Sequence, residues 1–297
     1  MDQLPTITGD GGRGREATPI SDITGIIGIA ERVVQKTYGD TVSVWQKGKT
    51  LNKFGRNDSV GTSYETVAEF QGSEINETFV TTNIIDAIVS SSTSDTLKTV
   101  TIEGHTIDGS GNLTFVKQNA ALNGRTPVAL AVPLARATRA YLAPSGVFST
   151  PVLPIVGDVA IYDDTAGVTA GVPNTDAATK LLLKGTLGRS KSEKASTAIS
   201  STDYWFITYF DAAIDDPAGP TNFIELRMET RDVANGGVWL PMLHEFVIWA
   251  GQDFTPREFD PPLIVPKNHD WRIVAECDGG SSSVYAEAGG YLAEILT

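Results

Sequence analysis

Short segments of alternating apolar and polar residues fill the middle of the chain, and tight glycine turns separate them. Residues 96–107 lead into the turn sequence DGSGN at 108–112, and residues 113–117 lead back out. A second turn follows at Asn123-Gly124. Asp-Gly and Asn-Gly favour turns because these residue types tolerate positive φ at low cost. The pattern therefore predicts antiparallel β-structure rather than strand–helix–strand units.

The same alternation predicts strands on both sides of this hairpin. Val100 and Ile102 share one face of a strand, and Val128, Leu130 and Val132 share one face of another, as in a half-buried sheet. The predicted strands are residues 78–92, 96–107, 113–122, 127–133, 135–143, 157–163, 178–184, 202–212, 222–230, 238–249, 262–266, 270–277, 283–288 and 290–296.

For two of these strands, the sequence also predicts which faces are buried. Residues 204–210 are apolar on both faces, with Phe206 and Phe210 on one side and Ile207 on the other. A strand of this kind is usually central in its sheet and covered on both faces. Residues 223–229 alternate charged and apolar side chains, which predicts one wet face and one dry face.

The ends and the breaks suggest how the chain is organised. Residues 1–22 have no apolar period and predict an extended arm, residues 23–37 predict one short helix, and residues 40–75 are ambiguous between strands and loops. Prolines and glycine in 144–154 mark a boundary. We expect a mainly β fold, an antiparallel β-sandwich of jelly-roll-like form. Its regions are the arm at 1–22, the helix with a first β-sandwich at 23–145, and a second β-sandwich at 146–297.

Composition narrows the classes of function. The chain has 297 residues, 41% of them hydrophobic, which is enough for a core. Its formal net charge of −13 argues against direct binding to nucleic acid or to an anionic membrane. The single cysteine excludes an internal disulfide, and no stretch approaches the roughly 20 apolar residues of a membrane span. The start of the chain lacks the pattern of a secretion signal, so we expect synthesis in a reducing cytoplasm.

No arrangement of residues predicts catalysis, a metal or a cofactor. His105, His244 and His269 lack a second His or Cys at metal-ligand spacing, and we expect them to have structural roles. Cys277 is expected to pack as a small hydrophobe. The glycines of residues 9–14 lack the preceding strand and following helix that a phosphate-binding loop needs.

Two pairs of adjacent carboxylates leave alternatives open. Asp163-Asp164 and Asp215-Asp216 have the sequence of ordinary turns. The alternatives are a structural cation site and a pair of carboxylates for glycoside hydrolysis.

Charge is distributed unevenly along the sequence. Between Glu31 and Asp58 there are six basic and three acidic residues, whereas from Thr197 to the end there are five basic and sixteen acidic residues. One interpretation is that the basic segment meets a partner and the acidic half faces solvent. The other is that solvated loops collect charge without a partner.

Five segments of the chain carry a family resemblance: VTIEGHTIDGSG at 100–111, ALNGRTPV at 121–128, LARATRA at 134–140, VPNT at 172–175 and VPKNHDWRI at 265–273. These segments resemble virion structural proteins of tailed bacteriophages. In these proteins a hairpin pair of the form "tv-G-d-dG … v-LnG-t-v" recurs, often followed by an arginine-rich strand. The similarity covers roughly residues 40–185, with a weaker part near 262–296.

The resemblance implies a capsid decoration (cement) protein without enzymatic activity. Such proteins are commonly homotrimers that lie on the outer capsid surface and bridge subunits of the major capsid protein. On this basis we expect a virion protein, made in the host cytoplasm, whose arm and basic segment bind the capsid and whose acidic half faces outward and supplies trimer contacts. The candidate capsid-binding residues are Arg13, Arg15, Lys47, Lys49, Lys53 and Arg56.

Two other functions remain as alternatives. A tail component, such as a fibre, spike or adaptor, would recognise the host surface, and Trp239, Trp249 and Trp271 would then be candidates for stacking on sugar rings. The second alternative is a polysaccharide-degrading enzyme, for which the sequence offers no well-placed acid pair.

Overall fold

Antiparallel strands make up most of the chain that can be described. The computed structural model describes residues 35–38, 41–68, 79–143, 154–175, 178–187, 191–216, 223–233, 237–242, 246–249 and 256–296. Within these ranges it contains twenty-one strands and two single-turn 3-10 helices, Asp164–Ala166 and Gly185–Leu187. The prediction of a mainly β fold built from antiparallel sheets is confirmed.

Two sheets enclose the larger hydrophobic core, and we call this unit the split sandwich because its strands come from two separate stretches of sequence. Sheet I has the order β1 (Gln35–Tyr38), β2 (Thr41–Val60), β21 (Ser282–Leu296), β15 (Asp203–Asp216), β19 (Arg257–Val265). Sheet II has the order β14 (Ser196–Ala198), β20 (His269–Cys277), β16 (Phe223–Asp232), β17 (Leu240–Pro241), with β18 (Phe246–Trp249) also on β16 and β3 (Glu65–Thr66) on β20. Trp205 of sheet I and Trp271 of sheet II meet edge to face in this core, with ring centroids 4.7 Å apart.

The intervening sequence forms a second sandwich with its own core, which we call the inserted sandwich. Sheet III has the order β12 (Thr179–Leu183), β9 (Val159–Tyr162), β4 (Ile85–Ser90), β7 (Val128–Leu134). Sheet IV has the order β13 (Lys191–Glu193), β8 (Arg136–Leu142), β5 (Thr96–Ile107), β6 (Leu113–Asn123), and β10 (Val168–Thr169) and β11 (Val172–Pro173) form a small separate hairpin. Val100 and Ile102 both lie in this core, as predicted.

The predicted boundary at 145/146 does not separate the two sandwiches. β9, which follows the boundary, pairs with β4, which precedes it, and β13 pairs with β8 in the same way. The proline-rich break is therefore a connection within the inserted sandwich. The division of the sheets falls instead between β3 and β4 and between β13 and β14, so that one sandwich is inserted into the other.

The predicted N-terminal features fall mostly outside the described residues. The arm at 1–22 and residues 23–34 of the predicted helix lie there, and both stay predictions. The end of the helix prediction is wrong, because Gln35–Tyr38 is a strand that pairs with β2 from Gln35 opposite Val44 to Tyr38 opposite Thr41. Thr37 and Tyr38 favour strands, and the ladder supplies their backbone partners.

The turn between β5 and β6 is built as its sequence predicts. The Asp108 carboxylate accepts a hydrogen bond from the Asn112 backbone N–H at 2.9 Å, and Gly111 has a φ of 81°. The same turn also touches the split sandwich, because the Asn268 side chain accepts from the Leu113 N–H at 2.9 Å and donates to Asn112 at 3.1 Å.

A bulge in β15 changes which face of the sheet its later side chains point to. The register of this strand shifts between Ile207 and Tyr209 against both neighbouring strands. Phe210 therefore joins Trp205 and Ile207 in the core, and the prediction that it shares a face with Phe206 is wrong. The prediction of a central strand is confirmed, since β15 lies between β21 and β19. The alternation predicted for β16 is confirmed from Phe223 to Met228, with its apolar residues in the core, whereas Glu229, predicted on the wet face, is buried.

A buried ion cluster joins the two sandwiches. Arg136 of β8 donates to both carboxylate oxygens of Asp270 on β20, at 2.8 and 2.9 Å, and Arg231 of β16 donates to the same carboxylate at 2.9 and 3.0 Å. Arg136 also donates to the backbone carbonyl of Val80. The Phe79 ring lies 5.1 and 5.0 Å from the two guanidinium carbons. Because Arg136 and Asp270 come from different sandwiches, the cluster fixes one against the other.

A second buried carboxylate holds a loop of the inserted sandwich. Asp95 accepts hydrogen bonds from Ser90 Oγ and Lys98 Nζ, both at 2.7 Å, and from the N–H groups of Val156 and Gly157, both at 2.9 Å. Burial by itself raises the pKa of Asp95, but the hydrogen bonds from Lys98, Ser90 and the two amides outweigh it, so that the pKa lies below its ordinary value.

Substitution Arg136→Met should lower the free energy of unfolding by about 3–5 kcal/mol, because it leaves a buried carboxylate with half of its counter-charge. Arg139→Met, on the same strand but with a half-exposed side chain, is the matched control and should cost under about 1 kcal/mol. Urea unfolding measures both, and equal costs would show that the cluster does not join the sandwiches energetically.

Substitution Asp95→Asn should destabilise the protein by about 1.5–3 kcal/mol at pH 7, since it removes a charged acceptor of four hydrogen bonds. The folded-state pKa is depressed, so this contribution is complete above the unfolded pKa of about 4 and is lost as pH falls through the folded value. The difference between the parent and the variant should therefore shrink below about pH 4. Unfolding free energies across pH test this, with exposed Glu258→Gln as the control; a pH-independent difference would contradict it.

Candidate interaction surfaces

The two lateral edges of the split sandwich differ in what covers them. At one edge, β2 and β14 contact β13 and β8 of the inserted sandwich, next to the buried ion cluster. At the other edge lie β18 of sheet II and β19 of sheet I, and neither pairs with any strand of the inserted sandwich in the described residues. We call this second edge the open edge.

Strand β18 at the open edge has one face in the core and one face in solvent. Ile248 is buried, and Phe246 stacks on Phe210 with ring centroids 4.6 Å apart. Val247 and Trp249 point outward and are 47% and 49% exposed, with Trp249 resting on Phe223 at a centroid distance of 5.1 Å. Val238 and Leu240 are also exposed, and Leu240 lies opposite Thr230, farther along β16. Exposed apolar side chains that are neighbours on one face, as Val247 and Trp249 are, are typical of interaction sites.

Strand β18 also lacks the usual protection of an edge strand. Edge strands present unpaired backbone groups, and proteins normally guard them with charges or prolines. Among the edge strands of four residues or more in the described ranges, β18, with the sequence FVIW, is the one without either. The others contain Lys36 in β1, Lys117 in β6, Pro133 in β7, Lys180 in β12, and Asp260-Pro261-Pro262 in β19. Sequence reasoning missed this surface, although the uncharged run 246–249 is its signal.

A polar cluster lies on the outer face of sheet II beside this edge. Glu225 and Glu276 are opposite each other on neighbouring strands, and the Arg227 guanidinium lies 3.6 Å from the centre of the Tyr64 ring. Burial and the hydrogen bond to Glu225 raise the pKa of Tyr64, and burial together with the Glu225 charge raises the pKa of Glu276. Tyr64 is therefore a neutral hydrogen-bond donor. No group of three or more His, Cys, Asp or Glu residues in the described part of the chain is placed to hold a metal ion.

The tryptophans named as candidates for sugar stacking have different surroundings. Trp271 is buried in the core. Trp239 is half-buried, with its ring 4.1 Å from the Arg272 guanidinium carbon and 4.9 Å from the ring of Phe79. Trp249 is therefore the member of this set whose ring is half open to solvent, so a sugar-binding platform of three tryptophans does not form.

Of the six predicted capsid-binding residues, the structure describes the side chains of Lys49, Lys53 and Arg56. Lys53 is only 3% exposed, and its Nζ donates to the Thr138 carbonyl at 3.0 Å across the sandwich junction. Its assignment as a capsid-binding residue is wrong, because the strand alternation of β2 turns it inward. Lys49 is exposed, and Arg56 is half-exposed and paired with Asp58. Lys47 lies on β2 opposite Ala293 and its side chain is outside the description, as are Arg13 and Arg15 altogether.

The histidines and the cysteine have structural surroundings where they are described. His105 is buried against Phe115, and burial together with the charges of Arg136 and Lys53 lowers its pKa to about 3, so it is neutral. Its Nδ1 has no hydrogen-bond partner among the residues that the structure describes. His269 contacts the Lys267 carbonyl at 2.9 Å. His244 lies outside the described residues.

Cys277 and the first acid pair are structural too. Cys277 is buried and its Sγ donates to the Gly279 carbonyl at 3.1 Å. Asp163 accepts from the Thr165 N–H at 3.0 Å and so begins a 3-10 turn, which confirms the turn interpretation. The side chains of Asp215-Asp216 lie outside the description.

Comparisons with known proteins add no relatives. No family model, no curated protein and no solved structure matches this chain. Among the described residues, no helix is long and apolar enough to cross a membrane.

Two lysines of β2 should respond differently to the same substitution. Lys53→Ala should cost about 1–3 kcal/mol of unfolding free energy, because it leaves the buried Thr138 carbonyl without its donor and removes packed methylene groups. Lys49→Ala, on the exposed part of the strand, should change stability by less than about 0.5 kcal/mol. Urea or thermal unfolding of the two variants checks this, and similar values for both would contradict the burial of Lys53.

Proposed function

We propose that this protein is a structural subunit of a tailed-phage virion that decorates the outer capsid surface and bridges subunits of the major capsid protein. The proposal begins from the resemblance carried by the hairpin segments at 100–111 and 121–128. The observation that carries it further is the open edge, where an uncharged strand exposes Val247 and Trp249. Exposed apolar groups on a strand edge serve protein–protein contact.

The fixed orientation of the two sandwiches supports a role in holding neighbouring proteins together. Arg136, Asp270 and Arg231 join the two sandwiches through buried hydrogen bonds, so the body presents its surfaces in a fixed relation. A rigid body loses little conformational entropy when it binds at more than one place. A decoration protein that reinforces a shell needs this property, because it must contact several subunits at once.

The capsid contact in this proposal involves fewer residues than the sequence suggested. Lys53 is excluded because it is buried. Arg13, Arg15, Lys47, Lys49 and Arg56 remain, together with the arm at 1–22. These basic side chains would bind carboxylates on the capsid through charge-assisted hydrogen bonds. A homotrimer and an outward-facing acidic half also belong to the proposal.

The second candidate is a tail component that recognises the host surface, and the half-exposed Trp249 ring favours it. Copy number in purified virions separates the two. Decoration requires a copy number comparable to that of the major capsid protein, whereas a tail component is present in a few copies per particle. Quantitative mass spectrometry of virions gives the answer, and absence from virions would sink both candidates.

Binding to capsids stripped of the protein should depend on the arm and on Lys49. Deletion of residues 1–20 should abolish binding without changing the unfolding transition of the body. Lys49→Glu should weaken binding by about tenfold or more, because a hydrogen bond to a charged group contributes about 1.5–3 kcal/mol. Lys267→Glu, a reversal at another exposed lysine, is the control. Sedimentation of the variants with capsids measures this, and full occupancy by the truncated chain would refute the proposed contact.

A further inference from the structure

The backbone along the outer side of β18 pairs with no strand that the structure describes. On its inner side β18 pairs with β16 over Phe223–Leu226, and its own four residues carry no charge and no proline. We propose that two copies of this chain pair edge to edge through β18, antiparallel about a two-fold axis, so that their copies of sheet II form one continuous sheet.

The positions of the exposed side chains fit a second copy in one register. A two-fold axis perpendicular to the sheet at Ile248 keeps the outer faces on the same side. It places Val247 directly opposite Trp249 of the second copy, and Trp249 opposite the second copy's Val247. Phe223 already packs against Trp249 at 5.1 Å, so each row across the interface contains two aromatic rings and a valine. Aromatic and β-branched residues are favourable cross-strand partners.

The charges near β18 permit this pairing. The nearest charged side chain in the same rows is Glu225, which is opposite Val247 on β16. Across the proposed axis, Glu225 and its copy are separated by three strand spacings, about 14 Å. This exceeds the Debye length of about 8 Å at physiological ionic strength, so their repulsion is largely screened. A charged peptide from another protein would find no complementary charge on β18 itself, which favours a second copy as the occupant.

The remaining edges support the same choice. Each of the other long edge strands in the described ranges carries a lysine, an aspartate or a proline that opposes self-pairing. Among these described edge strands, β18 is the one at which two copies could pair without burying a charge. The contact does not rest on the proposed capsid role. A two-fold axis cannot close a ring of three, so the contact joins subunits, or trimers, in pairs.

The first test is the assembly state of the full chain. We expect analytical ultracentrifugation to show an even number of copies, and Val247→Lys and Trp249→Lys each to raise the dissociation constant of the pair at least about tenfold, because a lysine would be placed in an apolar row. Val132→Lys is the matched control, since Val132 is an exposed valine, 38% accessible, on the edge strand β7. A monomer or an odd-numbered assembly for the parent chain, or unchanged association of both β18 variants, would overturn the proposal.

The second test fixes the register by disulfide trapping. The only native cysteine, Cys277, is buried and does not interfere. Under mild oxidation the double variant Val247→Cys, Trp249→Cys should form covalent pairs, because each new cysteine faces its counterpart across the axis. Either single variant should not, because its two copies are diagonal neighbours roughly 7–8 Å apart. Failure of the double variant to cross-link overturns the pairing, and equal cross-linking of a single variant overturns the stated register.

Discussion

The arrangement of the whole molecule depends on one buried carboxylate that receives hydrogen bonds from two arginines. Asp270 is fully buried, and Arg136 reaches it from the other sandwich while Arg231 reaches it from its own. Removing such charges from water costs several kcal/mol per ion, and good geometry with opposite charge is what offsets that cost. Neither sandwich contains the complete cluster. The ionised groups are therefore satisfied only when the two sandwiches lie in one relative orientation.

This constraint determines which surfaces are available. The side of the split sandwich that contains β2 and β14 packs against β13 and β8, and Lys53 donates a hydrogen bond there to the Thr138 carbonyl. Sheets I and II each have a second edge, and β18 lies at one of these with its apolar side chains outward. The two edges of one sandwich thus differ, since one joins the two sandwiches and the other is the edge that we propose to pair with a second copy.

The sequence was most informative where structure is local. The hairpin of β5 and β6 was predicted from its turn residues, because Asp108 and Gly111 specify that turn through hydrogen bonds within a few positions. Strand β16 was predicted because buried and partly exposed positions alternate from Phe223 to Met228. In both cases the signal is contained in about ten consecutive residues.

Prediction failed where distant segments determine the structure. Strand β2 is twenty residues long and was not recognised, because its pairing with β21 shifts between Lys47 and Thr50 and again between Asn57 and Val60. Beyond each shift, the side chains that would point to one face of the sheet point to the other. The two-residue alternation of apolar and polar positions is therefore not visible in the sequence. The same effect placed Phe210 on the wrong face of β15. Lys53 was assigned to the surface because lysine is rarely buried, and its acceptor is 85 positions away.

Only part of the candidate interaction surface could be predicted from the sequence. Trp249 was named from the sequence, but its partial exposure depends on the pairing of β18 with β16, and Trp271, which is flanked by Asp270 and Arg272, lies in the core. The open edge of sheet II became apparent only from the order of the strands. The cluster of Arg136, Arg231 and Asp270 was not anticipated, since its members are up to 134 positions apart.

The insertion of one sandwich into the other bears on the order of events during folding. All the pairings of sheets III and IV lie within residues 85–193, whereas β2 must find β21 more than 200 positions later. The inserted sandwich can form first, and it then holds its two connections together, because Ala68 bridges to Lys194 and the Ala195 N–H donates to the Val67 carbonyl at 3.1 Å. The loop that β2 and β21 must close becomes shorter by the length of the insert, and its entropic cost falls accordingly. This topology therefore allows non-local contacts, which are slow to form in most all-β chains, to be reached in two stages.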